Sequence, residues 1–123
     1  MKLYIGGHGH GQAALCERET GLRPVSFAHD PAAALSAPAI ADLHLLLRAV
    51  LLAGGDAQEF ARRLLAENPD AAVTSDVIGG GIHPLDPFER LWREETGRAL
   101  GVLCADERTR VTRVGYGLPE VLR

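Results

Sequence analysis

Apolar positions along the chain fall into short runs that alternate with longer stretches of helical spacing. Residues 2–6 (Lys-Leu-Tyr-Ile-Gly) are a brief apolar run ending in glycine, the pattern of a buried strand. Residues 11–19 follow as a helix whose Ala13, Ala14, Leu15 and Cys16 can pack on a sheet, and Gly21 and Pro24 end it. Residues 24–28 predict a second, edge-type strand, because Pro24 can open an edge strand but not sit within a ladder. Asp30 and Pro31 then start a helical turn as N-cap and first helical residue. Residues 38–42 predict a short buried strand leading into a helix over about 42–53. There Leu43, Leu46, Leu47, Val50 and Leu51 recur at helical spacing, and Gly54-Gly55 closes the pattern. Asp56 caps a helix over 57–67 with Phe60, Leu64 and Leu65 on its apolar side, after which Asn68-Pro69-Asp70 turns the chain. Residues 71–75 predict a core strand and 76–81 a glycine-rich turn. The longest amphipathic stretch runs from Pro84 to Cys104. It places Phe88, Leu91, Trp92 and Glu95 on one side, then Ala99, Leu100 and Leu103, with Glu94 and Arg98 as an i,i+4 pair. Residues 109–115 alternate as a final strand, half exposed near an edge.

Strands alternating with helices predict one three-layer α/β domain over residues 1–123 with a mostly parallel sheet. Ligands of such sheets lie beyond the carboxyl ends of the strands, where Gly7 to Gly11, Asp42 and residues 76–81 would gather. Composition narrows the partners. With 46% hydrophobic and 24% charged residues, the chain has globular rather than disordered composition. A net charge of −3, with arginines dispersed among Asp and Glu along the helices, excludes the basic stripe of a nucleic-acid footprint. Cys16 and Cys104 form no disulfide framework or C-x-x-C motif, which fits a reducing compartment. No basic-then-apolar leader is readable, and the apolar stretch from Leu43 to Ala53 is interrupted and too short to span a bilayer. The expectation is a soluble cytoplasmic protein with no membrane partner.

The loop after the first strand carries the most chemistry. In the phosphate-binding pattern G-x-x-x-x-G-K-[ST], backbone N–H groups cradle phosphates, the lysine reaches their oxygens, and the hydroxyl ligates magnesium. Here Gly6 and Gly11 match the end glycines, but Gln12 stands at the lysine position and Ala13 at the hydroxyl position. The cradle is kept while charge and metal ligand are gone. Gly6, Gly7, His8, Gly9, His10, Gly11, Gln12 and Ala13 are the candidate nucleotide- or phosphate-binding residues, and no catalytic residue is assigned. The alternative is a turn that only closes strand onto helix. Loss of the ammonium removes about 3–4 kcal/mol of transition-state stabilisation by comparison with similar electrostatic groups. His8 and His10 form an H-x-H pair. They are either metal ligands, with His29, His44 or His83 as a distant third, or imidazoles that partly replace the missing cation. Asp42 is either a magnesium ligand at a strand end or a helix N-cap. Asp76 either faces the ligand or stabilises the turn after it. Trp92 and Phe88 read as core or subunit-interface anchors, and the cysteines as structural.

Two stretches together resemble a family. They are Tyr4-Ile5-Gly6-Gly7 with Gly11, and Val73-Thr74-Ser75-Asp76-Val77-Ile78-Gly79-Gly80-Gly81-Ile82-His83-Pro84 followed by Arg90-Leu91-Trp92-Arg93-Glu94 and Gly97-Arg98. They are similar to the phosphate loop, the V-T-N-E-V-G-x-G-I-V-P block, R-x-F-R-D and G-R of the bifunctional adenosylcobinamide kinase/adenosylcobinamide-phosphate guanylyltransferases of cobalamin assembly. Ile40-Ala41-Asp42-Leu43 resembles the family's strand that ends in an acidic metal-site residue. The chain departs from the family at the loop lysine and hydroxyl, and at Leu100-Gly101 where the family has Asn-Gln. It is also shorter between residues 21 and 38, where His29 is the sole histidine and does not align with the family's guanylyl-accepting one. The resemblance implies a shortened P-loop NTPase-like fold and a degenerate relative that binds GTP or ATP with magnesium weakly. It also implies a corrinoid or nucleotide partner and a homo-oligomeric habit. Two alternatives stand beside this: an active transferase using Arg90 or Arg93 as substitute cation, and a non-catalytic assembly protein whose 84–104 helix packs against sister subunits.

Overall fold

The computed structural model describes residues 1–79 and 86–123. The elements in chain order are β1 (Lys2–Gly6), α1 (Gln12–Thr20), β2 (Val25–Ser26), a 3-10 segment (Pro31–Ser36), β3 (Ala39–Ala41) and α2 (Leu43–Leu52). Then come α3 (Ala57–Glu67), β4 (Ala72–Asp76), α4 (Pro87–Ala105), β5 (Arg110–Gly115) and β6 (Leu118–Val121). One six-stranded sheet has the order β2-β3-β4-β1-β5-β6. All pairings are parallel except β5 with β6. The opening strand is therefore central, between β4 and β5, and runs into the glycine loop and α1 as expected.

Side-chain alternation along the strands divides the apolar residues between two faces. Leu3, Ile40 and Val73 are fully buried under Leu43, Leu46 and Leu47 of α2, Leu64 of α3 and Leu103 of α4. Their neighbours Tyr4, Ala39 and Ala72 pack with Leu15 and Cys16 of α1 on the opposite face. The layers are thus helix, sheet, helix, an α/β arrangement. Caps set the helix starts where the sequence offers them. Asp56 accepts from the amides of Gln58 and Glu59 at 2.9 and 3.1 Å, and Asp86 accepts from Phe88 at 2.8 Å with Pro87 at the first helical position. Asn68 Nδ2 donates to the Ala34 and Ala37 carbonyls, which pins the turn after α3 to the 3-10 segment. Asp30 precedes that segment without a side-chain cap bond. No helix among the described residues is long and apolar enough to cross a membrane.

Four expectations are corrected. Helix α4 begins at Pro87, and Pro84, where the pattern placed its start, lies outside the described residues together with Gly80, Gly81 and His83. The buried face of α4 is Thr96, Ala99, Leu100 and Leu103, with Leu91 43% exposed. Arg98 pairs with Glu95, one turn back at 2.7 Å, instead of Glu94. Residues 109–115 do not end the sheet either. Tyr116 and Gly117 both adopt positive φ, 53° and 76°, making a two-residue turn that folds β6 back against β5. Pro119 lies opposite Val114, and the amides of Leu122 and Arg123 both reach the Val111 carbonyl in a bulge.

Candidate functional site

Beyond the carboxyl ends of β1, β3 and β4, a cleft of about 250 Å³ is lined by the loop, the start of α1 and the start of α2. It brings together His8, Gly9, Gly11, Gln12, Ala13, Asp42 and, from β4, Asp76. Gly6, Gly7 and His10 turn instead toward a larger, mainly apolar hollow of about 690 Å³ beside β5 and β6. Gly6 is glycine by necessity: a Cβ there would stand 2.3 Å from the Val114 carbonyl. Gly9 and Gly11 take left-handed backbone, φ 73° and 92°. Among the described residues, no backbone carbonyl accepts from the amides of Gly9, Gly11, Gln12 or Ala13. The loop is held from behind by the hairpin turn, where Gly117 N donates to the His10 carbonyl at 2.8 Å and the His10 and Tyr116 rings lie 4.7 Å apart. The H-x-H pair is thereby split, with His10 on Tyr116 and His8 over Asp76.

Gln12 does not extend into the cleft as a lysine would. It is buried, and its Nε2 lies 3.0 Å from the Gly7 carbonyl, 3.4 Å from the Ser75 carbonyl and 3.2 Å from Asp76 Oδ1. Three acceptors around one atom fix it as the amide nitrogen. The side chain therefore fastens the loop to the end of β4.

Asp76 is the hub of the cleft. His8 Nδ1 lies 3.1 Å from its Oδ2, and His44 Nε2 lies 3.4 Å from the same oxygen. The Asp76 amide donates to His44 Nδ1 at 3.1 Å. Since Nδ1 accepts, neutral His44 carries its proton on Nε2. Burial lowers the His44 pKa from its ordinary value, against the upward pull of the Asp76 and Asp42 carboxylates. Trp92 backs this histidine. Its indole donates to the His44 carbonyl at 2.8 Å, and the Arg48 guanidinium lies over both Trp92 and Phe88. The two aromatic residues thus join α4 to α2 within the chain.

Asp42 occupies the N-cap position of α2 in left-handed backbone, φ 53°, and its side chain makes no cap bond. Its amide donates to Thr74 Oγ1 at 3.2 Å, and ligand-type atoms of Asp42, His44 and Asp76 lie within 4.8 Å of one another. The capping role read from the sequence is not what this carboxylate does. Burial raises the Cys16 and Cys104 thiols above their ordinary pKa, the opposite of what a thiolate nucleophile needs.

The residues fit the two implied ligands unequally. Loop amides with no backbone acceptor among the described residues, at the start of a helix, suit an anion. A magnesium held through a loop hydroxyl does not fit, because residue 13 is alanine. The sequence offers His44 only as one of three distant partners of the H-x-H pair; its contact with Asp76 has no local signal, because it sits in a leucine-rich helix with no spacing relation to the loop. Neither a protein-family model nor a curated protein sequence gives a significant match to the chain.

Proposed function

We propose that this chain is a degenerate relative of the adenosylcobinamide kinase/guanylyltransferases, with a shortened P-loop-like fold, weak phosphate or nucleotide binding and a role near cobalamin biosynthesis. Gln12 carries this reading. At the position where a phosphate loop keeps its lysine, a neutral amide is turned inward and bonded to Gly7, Ser75 and Asp76. The amides of Gly9, Gly11, Gln12 and Ala13, from which no backbone carbonyl among the described residues accepts, support anion binding. The carboxylates of Asp42 and Asp76 oppose it, since like charges 4 Å apart repel by about 4 kcal/mol in a surface-like dielectric. Affinity in roughly the millimolar range follows from that balance.

A substitute cation has less support. Arg90 and Arg93 are not among the residues lining the cleft, and Arg93 Nε donates to the Ile78 carbonyl at 2.7 Å. Titration calorimetry with GTP and ATP, with and without magnesium, tests the binding. The wild-type chain should give weak heats, and the Gln12→Lys/Ala13→Ser variant should bind at least about ten-fold tighter, a gain of about 1.4 kcal/mol. No heat from either protein at millimolar nucleotide removes the reading. Transfer of γ- or α-phosphate label to cobinamide by the wild-type chain would show that the chemistry survives and overturn the impaired part.

A further inference from the structure

We propose that the cleft holds a divalent transition metal through His8, Asp42 and Asp76. The proposal uses the cleft of the reading above and requires no nucleotide.

Charge is the first argument. The cleft keeps two carboxylates and lacks the ammonium that would partly neutralise them, so a divalent cation restores the balance. The donor set is the second. With metal–ligand bonds of about 2.0–2.1 Å, neighbouring donors in an octahedral or tetrahedral shell stand about 2.9–3.4 Å apart. His8 Nδ1 and Asp76 Oδ2 are 3.1 Å apart, already at that spacing, and Asp42 lies within 4.8 Å of Asp76. His8 stands on a glycine-flanked loop with its side chain almost wholly exposed, which leaves an entry path and the freedom to adjust.

The surrounding groups hold the ligands without joining them. His44 Nδ1 accepts the Asp76 amide hydrogen, so neutral His44 carries its proton on Nε2, 3.4 Å from Oδ2, and offers no free lone pair to a metal. Gln12 fixes Oδ1 from the other side. One imidazole with two carboxylates favours cobalt, nickel or zinc over magnesium, which prefers oxygen ligands and has no loop hydroxyl here.

Cobalt(II) titration of the untagged full chain, followed by visible absorption and without nucleotide, tests the site. A saturable band of one-to-one stoichiometry is expected, displaced by zinc and not by millimolar magnesium. His8→Ala, at an exposed position, should weaken cobalt binding at least about ten-fold, while His29→Ala leaves it unchanged. A thermal melt checks that both variants are folded. Absence of a saturable band, equal displacement by magnesium, wild-type affinity in His8→Ala, or equal loss in His29→Ala would each overturn the site. Because no nucleotide is present, such a failure is separate from failure of the calorimetry above.

Discussion

Along their first residues β1 and β4 run through a dry interior, whereas their last residues enter a polar web. Leu3 and Val73 are fully buried among leucines from three helices. Two to three residues further on, the same strands reach Ser75, Asp76 and the loop, where Gln12 and His44 are also buried yet hydrogen-bonded. The first region is held by area removed from water and by close packing, which tolerates no voids. The second is held by pairing, where each lost donor strands an acceptor. Both are buried, so burial alone does not say which kind of order a position enforces.

The largest effect should come from the dry half. Leu47→Ala leaves a cavity in the main cluster and should lower stability by about 2–5 kcal/mol in urea unfolding. A cost under about 1 kcal/mol would erase the contrast. Next, Gln12→Leu keeps side-chain size but removes the donor from Asp76, Gly7 and Ser75, at a cost of about 1–3 kcal/mol. If Gln12→Leu is neutral or stabilising, the polar end behaves like the core and the distinction fails. The smallest effect is one of shape. Folding holds the His44 pKa below its ordinary 6.5 through burial, so the unfolded chain takes up a proton that the folded chain refuses. Stability is complete above about pH 6.5 and falls as the pH drops below it. His44→Gln should flatten that acid slope in melts between pH 5 and 8, and an unchanged slope would assign it to other groups.

Much of this division is legible in the residues. The apolar runs at 2–6, 38–42 and 71–75, and the leucine spacing of α2, give the central strands and their cover because their partners are all helices and buried strands. Helix α4 is less legible at its start. Phe88 and Trp92 look like core residues, but they pack against α2 beside Arg48, and the buried face begins only at Thr96. Strand β6 escapes because its turn is Tyr116-Gly117 in place of an Asn-Gly or Asp-Gly signal, and because Pro119 argues against a strand. The altered loop at Gln12 and Ala13 is plain in the sequence. That Gln12 folds inward, and that Asp76 rather than Asp42 is the hub, depends on meetings between residues 5 to 68 positions apart, which no local pattern encodes.

Pro119 carries one more consequence. With the Leu122 amide directed at β5, alternation along the strand directs position 119 outward, and a proline there has no hydrogen to offer a newcomer. At the opposite margin β2 offers only two residues. Lateral growth of this sheet into a ribbon of many copies is therefore blocked at one rim by missing chemistry and at the other by missing length.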